Sequence, residues 1–220
     1  MKELYNYDGI KKITIDSFNE CIEKLAPISM TEHSIYNLES FLNGWLCSSS
    51  EKAYMTSYMC NLHKYIKSKF PEFSSVIHWS DILYLKSGDE FSAFELFYSL
   101  HNDFHERESR CQSFSDNNQP RFFDVISLCK SLNENFSSLI RSPRYDYLTD
   151  FLIGWKNGIN THDKNTIRNV SAFFDEIKNN IEEQYGKSIR NEYVDLFYHR
   201  KQHAVAIKSL IKIMDDCIKK

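Results

Sequence analysis

The chain has 220 residues, 42% hydrophobic and 26% charged, with a formal net charge of −3. That is the composition of a folded protein, and it disfavours disorder, collagen-like repeats and general nucleic-acid binding. No stretch approaches 18 apolar residues and residues 1–8 carry no apolar run, so neither a membrane span nor a secretory leader is expected.

Six glycines and four prolines encode few tight turns, which argues against a β-sandwich and for an all-α fold. Sixteen Phe and 13 Tyr suit a core of bulky rings. The six cysteines (Cys21, Cys47, Cys60, Cys111, Cys129 and Cys217) form no Cys-x-x-Cys pair. Without a leader they read as reduced thiols of a cytoplasmic protein, most of them small core residues.

Apolar spacing predicts about four helices in each half. The first four are Lys11–Leu25, Glu32–Leu46, Glu51–Lys69 and Glu90–Arg107. Thr31 is the expected cap of the second, and Ser48 with Glu51 the expected capping box of the third. Met55, Tyr58, Met59, Leu62, Tyr65 and Ile66 line one face of the third. Phe91, Ala93, Leu96, Phe97, Leu100 and Phe104 form the ladder of the fourth. The short stretch Trp79–Leu85 fits a strand or a helical turn.

Polar residues Ser109–Pro120 read as a linker. Beyond it the expected helices are Phe122–Asn133, Tyr145–Trp155, Asn165–Tyr185 and His203–Ile218, with Tyr193–Tyr198 again ambiguous. Ile167, Val170, Phe174, Ile177 and Ile181 mark one face of the third. Pro27, Pro71 and Pro143 fall where helices should break.

Phe41-Leu42-Asn43-Gly44-Trp45 reappears as Phe151-Leu152-Ile153-Gly154-Trp155. The spacing predicts two tandem pseudo-repeats, residues 1–110 and 111–220, packed as a solenoid or bundle around one core. Each glycine should mark either a close backbone approach or the point where the chain leaves its helix. Each neighbouring Trp should seal that corner, a structural use favoured over ligand stacking. The first half carries 11 Lys and Arg against 16 Asp and Glu, net −5, and the second 16 against 14, net +2. An acidic half attracts a basic partner.

Few motifs carry chemistry. His101/His105 and His199/His203 have the four-residue spacing that puts two metal ligands on one helix face, and Glu106 follows the first pair. Neither pair has the Glu of His-Glu-x-x-His, so surface histidines are favoured over a helical metal-dependent hydrolase or ribonuclease. His162-Asp163 resembles the His-Asp pair of metal phosphohydrolases, but Asp163 also suits a helix cap. Arg190 to His199 and Arg200 to His203 both miss the Arg-x(4–6)-His spacing of HEPN-class ribonucleases. No Gly-rich phosphate loop or Gly-x-Ser-x-Gly elbow is present. No catalytic, metal or cofactor residue is assigned, and no cofactor is expected.

A cluster of carboxylates and rings is the candidate partner-binding surface: Tyr84, Asp89, Glu90, Glu95, Tyr98, Asp103 and Glu106, with Phe97 and Glu108 nearby. Carboxylates framed by aromatics can mimic nucleic acid toward a basic protein. The plainer alternative is an amphipathic helix with its acids in water.

The Phe-Leu-x-Gly-Trp strings at 41–45 and 151–155 are similar to Phe-Leu-x-Gly-aromatic strings in immunity proteins of bacterial contact-dependent growth inhibition systems. This chain departs from them in duplicating the string and in its length. The resemblance implies tight binding to a cognate protein toxin, often a nuclease whose active site is occluded. It implies no cofactor and designates no contact residues; hydropathy and net charge are what disfavour a membrane or a direct nucleic-acid partner. A helical-repeat scaffold with a harmless partner is the remaining alternative.

Overall fold

The computed structural model describes residues 3–4, 13–14, 21–49, 52–108, 124–159, 164–186 and 202–219. The fold is all-α, with one short antiparallel pairing of Glu3–Leu4 against Ile13–Thr14. The helix expected over Lys11–Leu25 is corrected: Ile13–Thr14 is extended, and Cys21–Leu25 is a π-helical turn running into α1, Ala26–Ser29. The remaining helices are α2 (Ile35–Ser48), α3 (Lys52–Lys69), α4 (Trp79–Ser87), α5 (Glu90–Glu108), α6 (Val125–Leu139), α7 (Tyr145–Gly158), α8 (Lys164–Tyr185) and α9 (His203–Lys219). The Trp79 stretch is therefore helical. Residues 109–120 and 193–198 lie outside the described residues.

The chain divides into two compact units, residues 1–39 with 51–119, and residues 40–50 with 120–220. The short segment 40–50 thus belongs with the second half of the chain, although it sits well inside the first.

In the first unit, α3 packs on α4 and α5, and α4 packs on α5. Tyr58, Leu62 and Ile66 of α3 are buried, as are Ile82 and Leu83 of α4 and Ala93, Phe94, Phe97, Leu100 and Phe104 of α5. The expected α5 ladder is corrected at its start. Phe91 is 57% exposed, and Phe94 takes the core position. Steps of four, three and four residues from Ala93 reach Phe97, Leu100 and Phe104, a helical stripe that Phe91 does not share.

Helix α2 begins later than expected. Ser34 Oγ accepts from Tyr36 N at 3.2 Å, and Ser34 O accepts from Leu38 N at 3.0 Å. Thr31 does not cap; its Oγ1 instead accepts from the Asn37 side-chain amide at 3.0 Å. Ser48 does not open α3 either. Its hydroxyl donates back to the Trp45 carbonyl at 3.2 Å and closes α2.

In the second unit, α9 packs against α6, α7 and α8. Leu128 and Leu132 of α6, Leu148, Phe151 and Leu152 of α7, Phe174 and Ile177 of α8, and Leu210 and Met214 of α9 are all buried. Asp124 starts α6, accepting from Ser127 N at 2.8 Å, so the helix opens at Val125 rather than Phe122.

The duplicated string falls in two helices of equal length. α2 and α7 are 14 residues each, and their starts and ends correspond at the same separation as the strings. Gly44 and Gly154 lie inside these helices, so the leaving-the-helix alternative does not hold. A Cβ on Gly44 would fall inside contact distance of the Phe151 carbonyl oxygen and 2.8 Å from Trp155 N. A Cβ on Gly154 would meet the Phe41 carbonyl in the same way, its carbon at 2.8 Å. One turn on, a Cβ on Gly158 would fall 2.7 Å from Trp45 O and closer still to Ser48 Oγ. Small residues four apart on both helices thus let two backbones touch, a geometry that recurs with Cα–H···O contacts.

Both tryptophans of the repeated string are core residues. Trp45 and Trp155 are buried, Trp45 against Phe41 at 6.4 Å and Trp155 against Phe174 at 6.3 Å between ring centroids.

Candidate partner-binding surface

The seven residues of the acidic and aromatic cluster all lie in the first unit, on α4, α5 and the turn between them, and the structure gives them different jobs. Asp89 is exposed and caps α5: its Oδ1 accepts from Ser92 N at 2.8 Å. Hydrogen bonds from the Ser92 side chain and then its backbone hold the Asp89 carboxyl below the usual carboxylate range. Glu90 accepts from the Ser34 hydroxyl. Asp103 accepts from the Tyr65 hydroxyl and pairs with Lys69 Nζ at 3.4 Å. Hydrogen bonds to Tyr65 and then Asp103 raise the Lys69 ammonium above its ordinary value.

Tyr98 faces inward at its tip. Its hydroxyl donates to the Ile22 carbonyl at 2.9 Å, tying α5 to the π turn, and burial pushes its pKa up. Tyr84 is half-buried, its ring 5.7 Å from that of Tyr36. Glu95 and Glu106 are exposed. Eleven residues separate them, three turns of helix, so they share one outer face of α5 with Phe91.

Sequence reasoning missed two residues at this corner. Leu85 and Phe91 are 52% and 57% exposed, on either side of the turn between α4 and α5. Phe91 was legible in principle, since it is out of phase with the stripe from Ala93 to Phe104. The turn is made by Gly88 at φ 87°, whose N–H donates to the Tyr84 carbonyl at 2.8 Å. Glycine takes that left-handed conformation without the penalty a Cβ brings.

The histidine pairs do not assemble a metal centre among the described residues, where no three His, Cys, Asp or Glu side chains are grouped. His101 is corrected from surface to core. It is fully buried, stacked at 5.7 Å on Phe97 and at 6.3 Å on His105, with Tyr58 at 5.8 Å. Burial pushes its pKa down to about 4; His105 adds to the effect and a hydrogen bond with Asn102 opposes it. His203 works as a cap, its Nδ1 accepting from Tyr145 N at 2.9 Å at the start of α7. His162, Asp163, Arg190, His199 and Arg200 lie outside the described residues.

Among the described residues, no helix is long and apolar enough to cross a membrane. No family model matches the chain, and neither a curated protein nor a solved structure matches it.

Proposed function

We propose that this chain is a cytoplasmic binding protein that neutralises a cognate protein toxin, a basic nuclease domain, by covering its active site. The observation that supports this reading most is the charge of the first unit. Over residues 1–39 and 51–119 it carries 11 Lys and Arg against 17 Asp and Glu, net −6, whereas residues 40–50 and 120–220 carry 16 against 13, net +3. The outer face of α5 puts Glu95 and Glu106 of that acidic unit in water. Such a surface speeds encounter with a basic partner and opposes a nucleic-acid one.

The same proposal takes the chain as two diverged copies of one helical unit, on the strength of the matched α2 and α7. The glycines of the repeated string then serve packing, and binding falls to other surfaces.

The test is co-expression with the toxin gene of the host and titration of the purified pair. Glu95→Lys with Glu106→Lys should weaken binding and flatten its salt dependence, because both side chains are exposed and neither caps a helix. Unchanged affinity and salt dependence would remove this face of α5 from the contact.

A further inference from the structure

We propose that the corner between α4 and α5 is the anchor of the protein–protein contact, with Phe91 and Leu85 entering an apolar pocket rimmed by Lys and Arg on the partner. This rests on the binding-protein reading above and names the surface and the chemistry of its occupant.

Four of the large apolar side chains that stand exposed among the described residues, Ile28, Ile77, Leu85 and Phe91, lie in the first unit. Scattered exposed apolar residues need no explanation. Leu85 and Phe91 are different because they bracket one tight turn, in the last turn of α4 and the first of α5. Nothing lies within 4 Å of where a Cβ on Gly88 would sit, so the turn itself faces open space.

The corner is held in shape before any partner arrives. Gly88 closes α4 through its bond to Tyr84, and Asp89 opens α5 through its bond to Ser92. A ring presented on a fixed turn loses little freedom on binding, which is how aromatic anchors reach high affinity.

The charges around the ring select the partner. Asp89 and Glu95 are exposed two residues before and four after Phe91. The cation nearest in sequence, Lys86, pairs with Glu72 at 3.3 Å. The corner therefore offers an apolar tip with carboxylates beside it and its nearby cation already engaged. The complement is an apolar pocket with a basic rim. A second copy of this corner would set carboxylate against carboxylate.

The experiment places a benzoyl-phenylalanine photocrosslinker at position 91, and at position 126 as a control in the other unit, in the full chain within its host. The crosslinked peptides are then identified. The expected result is a crosslink from position 91 to one protein, at a peptide flanked by Lys or Arg. Phe91→Ser in the purified complex should weaken binding about 30-fold or more while leaving the folded state intact, because the side chain is exposed. A crosslink to a second copy of this chain, a crosslink only from position 126, or none from position 91 would each overturn the proposal. If position 91 captures a basic protein that is harmless on its own, the anchor stands and the toxin reading falls. If a toxin is captured only through other positions, the toxin reading stands and the anchor falls.

Discussion

Gly44 and Gly154 occupy reciprocal places: each lies against the carbonyl of the phenylalanine three residues before the other. A side chain at either position would have to displace backbone, which cannot swing aside as a side-chain tip can. The repeated string thus contains both halves of one helix–helix contact, with Phe41, Trp45, Phe151 and Trp155 buried around it.

Gly44→Ala or Gly154→Ala should therefore cost about 3 kcal/mol or more, or prevent folding, since overpacking against backbone lies at the severe end of core substitutions. The helix propensity gained from alanine, about 1 kcal/mol, does not offset this. Gly88→Ala is the control, because it meets open space and carries only the strain of a positive φ, roughly 1 kcal/mol. Urea denaturation of the three variants should rank Gly88→Ala as much the mildest.

Stability should fall in acid through His101. Its pKa in the folded protein, about 4, is below the ordinary value of about 6.5 that it regains on unfolding. The unfolded chain then binds the proton first. The contribution is complete above about pH 6.5 and is lost as pH falls toward 4, amounting to roughly 3 kcal/mol at most. His101→Phe keeps a ring between Phe97 and His105 and should flatten the stability profile between pH 6.5 and 4. An unaltered slope would show that His101 does not carry it.

Asp89 and Glu95 should separate on a stability measurement. Asp89→Ala removes a cap and should cost about 1 kcal/mol. Glu95→Ala, on the exposed face of the same helix, should stay within about 0.5 kcal/mol of the parent. Thermal unfolding of both variants reads the difference, and it guards binding experiments against mistaking a loosened α5 for a lost contact.

Much of the helical skeleton was legible because a long apolar stripe at helical spacing marks a buried helix face with little help from its neighbours. The spacing of Tyr58, Leu62 and Ile66 placed α3, and that of Val170, Phe174, Ile177 and Ile181 placed α8. Starts were harder where the capping group lies far away in sequence or competes with neighbours. Ser34 caps α2 where Thr31 was expected, and α7 takes a histidine from α9, His203, as its cap. The glycine pair was visible as a repeat, but sequence could not choose between a helix exit and a close approach, because the neighbour that decides it, Phe151 for Gly44 and Phe41 for Gly154, lies in the other half of the chain.

The acidic cluster was seen as one group because charge and spacing alone do not show which carboxylates are engaged. Tertiary contacts sort it: Glu90 and Asp103 face hydroxyls of Ser34 and Tyr65, Asp89 caps, and Glu95 and Glu106 face water. Phe91 escaped notice because an aromatic beside a ladder of aromatics invites assignment to the core.

The most direct measurement is affinity purification of the tagged full chain from its host, followed by expression of each stoichiometric partner alone and together with this chain. The expected result is one basic protein, toxic when expressed alone and harmless when paired, released by high salt and by Phe91→Ser. A stoichiometric partner that is harmless alone, or recovery of the chain with no partner under conditions where the toxin is made, would contradict it.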